Sequence, residues 1–381
     1  MPQPGVHALV IGISKYKGNA FKLLRGSAPA ATHFARFLLH DFKHPSDIPL
    51  RTLRMHLTPD EMLTEAQMAE YLLTEGKRCP PASSAALERA LTDWAADCDA
   101  HSENVAILFV SGHGLATSSD ARWAFLPEAG NAGDPYYFAI NATRLKERMK
   151  PRRARTQIFI WDVCAAWADG DSPDTDGAGG LSVPYMKPRK EHPGAVEQVA
   201  IVSRLGTETF SKNAELGTVL SDALVGPNAS EFRKRLMHTA VAVDSRGTIA
   251  VTTQEVLKRL PTTVGKKVTG DPGYVEHILE PKEADVGLNR PHPLPVFEVN
   301  LAWNGTPASD SLSITLRQGG EEVFPSTELI WTVGEEEITA PIDLFAGKYR
   351  FTAKPSSGDG NSYDVTVTSP MKINAWDGEV L

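Results

Sequence analysis

Two short apolar runs, 105-VAILFVSGHG-114 and 156-TQIFIWDVC-164, constrain this chain more than any other feature. Continuous runs of bulky side chains at this length form strands buried on both faces, as in a parallel sheet covered by helices. Three further segments read the same way: HALVIGIS (7–14), PLRTLRMHLT (49–58) and VEQVAIVSRL (196–205). Helical patterns separate them. Residues 28–40 place Phe34, Phe37, Leu38 and Leu39 on one face, and residues 84–100 carry Leu87, Leu91 and Trp94 at helical spacing. Thr58-Pro59-Asp60-Glu61 reads as a helix start, with proline in the first turn and acids at the positive end of the dipole. Strands alternating with helices predict an α/β/α sandwich around a mostly parallel sheet. In such sheets functional groups collect beyond the carboxyl ends of the strands. His113 and Cys164 both stand just past a strand end, which makes them a candidate pair.

The pattern changes near residue 281. PKEADVGLNRPHPLP (281–295) carries four prolines and reads as a linker. Beyond it, VFEVNLAW, SLSITLRQ, ELIWTV, GKYRFTAKP and SYDVTVTS alternate with period two between Gly, Ser, Asp and Pro clusters. That is the pattern of an antiparallel β-sandwich of immunoglobulin- or fibronectin-like kind, so the expected domains are 1–280 and 296–381. No repeat of the solenoid type is present. The formal charge is −8 and no basic tract stands out, which argues against nucleic acid or an anionic membrane as partner. No apolar stretch approaches the roughly 18 residues of a membrane span, and the N-terminus lacks the basic and apolar regions of a secretory signal. Three cysteines at irregular spacing, Cys79, Cys98 and Cys164, do not make a disulfide framework. The reading is a cytosolic chain with free thiols.

A cysteine attacks as its thiolate and needs a neighbouring base, and a histidine in hydrogen-bond range takes the proton and returns it to a leaving amine. The tetrahedral intermediate then needs donors, commonly backbone N–H groups in a glycine-rich turn. Ser111-Gly112-His113-Gly114 supplies the histidine between two glycines, and the N–H groups of Gly114 and Cys164 are the natural oxyanion donors. The histidine precedes the cysteine by 51 residues, close to the ~50 of the caspase arrangement.

These motifs resemble those of the caspase-like cysteine peptidases, and among them the bacterial caspase-like and metacaspase-like branch. The resemblance rests on strand–SGHG at 105–114 and strand–Asp-x-Cys at 158–164. It extends through 9-LVIGISKY-16 with Leu24-x-Gly26, 215-ELGTVLSDALVG-226 and 247-GTIAVTTQEVLKRL-260, covering roughly residues 5–280. It implies His113 as acid/base and Cys164 as nucleophile, with no organic cofactor. It also implies that Asp162, two residues before the cysteine, lines a pocket for Arg or Lys at P1. The family's metacaspase-like members place a second pocket acid where this chain has Ala30.

The loop 165–194 is far longer than an ordinary connection. It corresponds to the family's activation segment, and Lys187, Arg189 and Lys190 within it are self-cleavage candidates. Calcium activates many metacaspases, and Asp169, Asp171, Asp174 and Asp176 are the candidate ligands; they form only a fragment of an EF-hand-like loop. Expected partners are protein substrates and an upstream protease or regulatory protein, in a signalling or antiphage setting of the kind known for bacterial relatives. Two other readings stay open: a catalytically silent scaffold working through the β-sandwich, and peptide ligation on the same fold.

Overall fold

The computed structural model describes residues 3–58, 79–116, 122–163, 180–187, 197–202, 217–227, 229–244, 248–265, 276–280, 287–291, 294–303, 312–318, 321–324, 332–333, 338–355, 360–375 and 378–381. These divide into two compact units, Met1–Ala240 with Val251–Arg290, and Val241–Ala250 with Pro291–Leu381.

The first unit is built on a six-stranded sheet. In chain order its early strands are β1 (Val6–Ile13), β2 (Leu50–Thr58), β3 (Val105–Gly112), β4 (Gly114–Ala116), β5 (Arg122–Phe125), β6 (Ala139–Asn141), β7 (Thr156–Val163) and β8 (Glu197–Val202). Further along the chain come β9 (Val241–Val243), which falls in the second unit, and then β10 (Ile249–Thr252), β11 (Glu276–Glu280) and β12 (Gly287–Asn289). The sheet order is β11-β8-β7-β3-β1-β2, parallel except for the edge strand β11. Every residue of β1, β3 and β7 is buried, as their continuous apolar character requires. The helices are α1 (Ser27–His40), α2 (Ser84–Cys98), α3 (Ala142–Met149), α4 (Val219–Leu224), α5 (Ala229–Phe232), α6 (Leu236–Thr239) and α7 (Thr253–Gly265).

The period-two alternation of the strands sends side chains to two different cores. Leu9, Ile11, Leu108, Val110, Phe159 and Trp161 face α2, whose Trp94 is fully buried and donates its indole N–H to the carbonyl of His7 at 2.9 Å. The opposite face carries Phe109, which stacks on Phe34 of α1 at 4.7 Å, together with Ile107, Ile158 and Ile160 beside Phe37 and Leu38. Leu39 departs from the expected face and is 41% exposed. A helical residue turns ~100° from its neighbour, so one position beyond Leu38 already points off the sheet.

β3 ends at Gly112, so His113 stands just past the strand end, as expected, at the joint with β4. Within the expected linker 281–295, Gly287–Asn289 forms β12; Asn289 pairs with Val251 and donates its amide to the carbonyl of Met237 at 2.7 Å. The helix start at 59–61 lies outside the described residues.

In the second unit, β13 (Val296–Trp303), β14 (Leu312–Gln318), β15 (Glu321–Phe324), β16 (Thr332–Val333), β17 (Ile338–Phe345), β18 (Gly347–Pro355), β19 (Asn361–Val367) and β20 (Met371–Asn374) form two four-stranded sheets. Pairing is antiparallel apart from β13 with β20. Val299 and Leu301, Ile314 and Leu316, and Phe351 and Ala353 are buried in alternation, the pattern of a two-sheet sandwich.

The tightest approach of helix to sheet is at Gly12. A side-chain carbon there would lie 2.6 Å from Ala31 Cβ, 2.8 Å from the carbonyl of Ser27 and 2.9 Å from Ala28 Cα. Backbone cannot yield as a side chain can. Gly12→Ala should therefore cost about 1–3 kcal/mol, read as a lower urea midpoint with an unchanged slope.

Candidate active site

The site grows from the register of the two central strands. Ser111 pairs with Asp162 and Gly112 with Val163 in parallel alignment. Neighbouring strands stand ~4.8 Å apart, so the residues before His113 and before Cys164 are level across one strand spacing. Cys164 itself lies outside the described residues. Gly12 of β1 pairs with Ser111, so Gly12, Ser111 and Asp162 form one row on the α1 face.

His113 is held at four points. Its N–H donates to the hydroxyl of Tyr16 at 2.7 Å, and its carbonyl accepts from the N–H of Phe125 at 2.9 Å. The imidazole Nε2 is 2.7 Å from the carbonyl oxygen of Lys22. Its ring packs between Tyr16 and Phe21, at centroid distances of 5.0 and 5.3 Å. A carbonyl only accepts, so this bond puts the neutral ring's proton on Nε2 and leaves Nδ1 with the lone pair. The loop supplying Tyr16, Phe21 and Lys22 is pinned at both ends. Leu24 donates to the carbonyl of Ser14, the N–H of Ala28 donates to Ser14 Oγ, and Lys17 reaches Pro127 and Glu128.

Antiparallel ladders alternate hydrogen-bonded and non-bonded pairs. With the Phe125 N–H on His113, the next pair, Gly114 with Ala124, is a non-bonded one. The Gly114 N–H therefore points away from β5, the orientation that an oxyanion donor needs.

Asp162 is 1% exposed. Its Oδ2 accepts from Ser111 Oγ at 3.2 Å and from Thr218 Oγ1, while Oδ1 has no partner among the described residues. Burial pushes the carboxyl up to about 6, against the hydrogen bonds of Thr218 and Ser111, which pull it down. Thr218 is also the N-cap of α4, accepting from the Ser221 N–H at 3.2 Å. Ala30 is fully buried, and a side-chain carbon at Gly217 would lie 3.1 Å from Ala30 Cα. Position 30 thus adjoins the wall that holds Asp162, and no carboxylate stands there.

The two described cysteines are poor nucleophiles. Burial pushes the Cys79 thiol up to about 12 and the Cys98 thiol well above its ordinary range. Lys187 is exposed at the end of a segment tied to the first unit: Leu181 donates to Ala139, Arg148 donates to the carbonyl of Val183, and Arg152 to that of Pro184. Arg189, Lys190 and the acids Asp169, Asp171, Asp174 and Asp176 lie outside the described residues. Among the described residues no cluster of His, Cys, Asp or Glu is arranged to hold a metal, and no helix is long and apolar enough to cross a membrane.

Sequence reasoning picked out His113, Gly114 and Asp162 and passed over Tyr16, Phe21, Lys22, Ser111 and Thr218. Thr218 had a local signal, a threonine opening the helical stretch VLSDAL. Lys22 had none, since it acts through its backbone.

The family model described as the caspase domain matches residues 6–256. No curated protein matches the chain. Among solved structures, that of caspase-1 from Spodoptera frugiperda aligns with a TM-score of 0.40 at 10% identity, covering 73% of this chain and 88% of that one.

The buried carboxyl has a thermodynamic signature. Its folded pKa lies above the unfolded one, so its contribution to stability is present below about pH 4 and lost as pH rises to about 6. Urea midpoints measured across that window should fall in the wild type by more than in Asp162→Asn. Parallel curves would place the titration elsewhere.

Proposed function

Because the chain belongs to the caspase family, a family of cysteine peptidases, we propose that it is an endopeptidase working through Cys164 and His113. The supporting observation is the alignment of Gly112 with Val163, together with an imidazole whose Nε2 is committed to the Lys22 carbonyl. Nδ1 takes the proton from Cys164, and the thiolate attacks the scissile carbonyl. The N–H groups of Gly114 and Cys164 receive the oxyanion. His113 returns the proton to the leaving amine, and an acyl-enzyme forms. Water, deprotonated by the same nitrogen, then releases the new carboxyl terminus. The Lys22 carbonyl stabilises the imidazolium that forms between these steps. High thiol pKa values at Cys79 and Cys98 leave Cys164 as the cysteine suited to the role.

Asp162 is the specificity residue in this reading. Its Oδ1 has no hydrogen-bond donor among the described residues, and a guanidinium or ammonium at P1 supplies one. With Ala30 in place of a second acid, recognition rests on this single carboxylate. The substrates are proteins, the chain acts in the cytosol, and no organic cofactor enters the chemistry. Latency is relieved by cleavage near Lys187, Arg189 and Lys190, by the chain itself or an upstream protease, or by a regulatory partner in a signalling or defence cascade.

The test is a fluorogenic peptide panel varied at P1, with and without calcium. Cys164→Ala should abolish cleavage, and Asp162→Asn should lower kcat/KM for Arg and Lys substrates by about tenfold or more. A cation needs the ionised carboxylate, so kcat/KM for these substrates should rise with pH through about 6. Asp162→Asn removes that limb of the profile. Full activity in Cys164→Ala would falsify the assignment.

A further inference from the structure

Tyr16 stands out among residues that the proposed chemistry does not use. It lies three residues beyond β1, and its hydroxyl is inserted into a β-ladder. In a hydrogen-bonded antiparallel pair the two residues exchange both N–H···O bonds directly. His113 and Phe125 make only one of them: Phe125 donates to His113 at 2.9 Å. The return bond runs through Tyr16. The His113 N–H donates to its hydroxyl at 2.7 Å, and that hydroxyl donates on toward the Phe125 carbonyl at 3.4 Å.

The insertion has room because residue 112 is glycine. A side-chain carbon there would lie 2.9 Å from the Tyr16 hydroxyl oxygen. The first glycine of SGHG is thereby explained by a close approach rather than by substrate. The tyrosine ring also forms one wall of the slot around the imidazole; Phe21 forms the other, 5.1 Å from Tyr16 and 5.1 Å from Phe125. One side chain therefore fixes both the backbone of His113 and the plane of its ring.

We propose that Tyr16 is the positioning residue for His113, its hydroxyl wedging the β4–β5 ladder open by one oxygen so that Nε2 meets the Lys22 carbonyl and Nδ1 carries the lone pair. This rests on the reading of His113 as the base. Without the hydroxyl, the His113 N–H closes directly on the Phe125 carbonyl, as an uninterrupted ladder does. The imidazole then shifts with its backbone, the Nε2 bond to Lys22 loosens, and the neutral ring is no longer confined to one tautomer.

Tyr16→Phe keeps the ring and removes only the hydroxyl. Gly112→Ala reaches the same contact from the opposite side, by pushing a carbon against the hydroxyl. Three readouts are needed. In ¹⁵N NMR of the imidazole, wild-type His113 should be the Nε2–H tautomer, and both variants should populate Nδ1–H. In peptide cleavage, both should lose kcat by about tenfold or more with KM within about twofold, because small misplacements of a catalytic group act on the transition state. The rate at which iodoacetamide alkylates Cys164 should fall in the same variants. Thermal unfolding should leave Tyr16→Phe close to wild type, which separates positioning from loss of fold. A Tyr16→Phe protein with wild-type kcat and tautomer overturns the proposal. If the wild type neither cleaves peptides nor shows an activated thiol, the peptidase reading falls. The tautomer measurement then still judges Tyr16: identical spectra for wild type and Tyr16→Phe overturn its role regardless of activity.

Discussion

The parallel register between β3 and β7 is the constraint on which the site depends. It pairs Ser111 with Asp162 and Gly112 with Val163, and so brings two sequence motifs 51 residues apart to adjacent strand ends. A slip of one residue would reverse the facing of every β7 side chain. Asp162 would then turn into the apolar core that holds Trp94, where no donor like Ser111 or Thr218 meets it. The register is strongly specified because both faces of both strands are buried. Phe109 stacks on Phe34 on one side, while Leu108 and Phe159 belong to the core around Trp94 on the other.

The row Gly12–Ser111–Asp162 shows how packing and chemistry share the same residues. Gly12 admits the start of α1 against the sheet, bringing Ala28 and Ala31 onto β1, while Ala30 packs against Gly217, the residue before Thr218. Thr218 holds Asp162 and begins α4 with the same side chain. Burying a carboxylate is costly unless donors compensate it. Here two donors meet one oxygen and, among the described residues, none meets the other, while burial pushes the carboxyl up to about 6.

His113 belongs to a different network, built from the loop after β1. Aromatic packing by Tyr16 and Phe21 limits ring rotation, and two main-chain hydrogen bonds limit backbone movement. Loops carry functional groups well only when a rigid scaffold anchors them. This one is tied back through Ser14, Leu24 and Lys17. The same ties fix the Lys22 carbonyl, which is why a residue with an exposed, unremarkable side chain takes part in the site.

The apolar runs and their endings were enough for the five parallel strands of the central sheet, the helices at 28–40 and 84–100, and the positions of His113 and Asp162 at strand ends; the antiparallel edge strand β11 and the helix before β7 left no such signal. Period two in strands and 3.6 in helices are local properties, and local properties are legible in one dimension. The period also explains the error at Leu39, where four helical residues were assigned to a face that takes three. Tertiary structure alone decided the rest: the Tyr16 hydroxyl on the His113 N–H, 97 residues away, the Thr218 hydroxyl on Asp162, 56 residues away, and the Lys22 carbonyl on the imidazole. Each depends on where a sheet register and a loop path bring two polar atoms, and hydrophobic patterning is silent about single hydrogen bonds. A backbone carbonyl is the extreme case, since every residue has one and only geometry selects which acts.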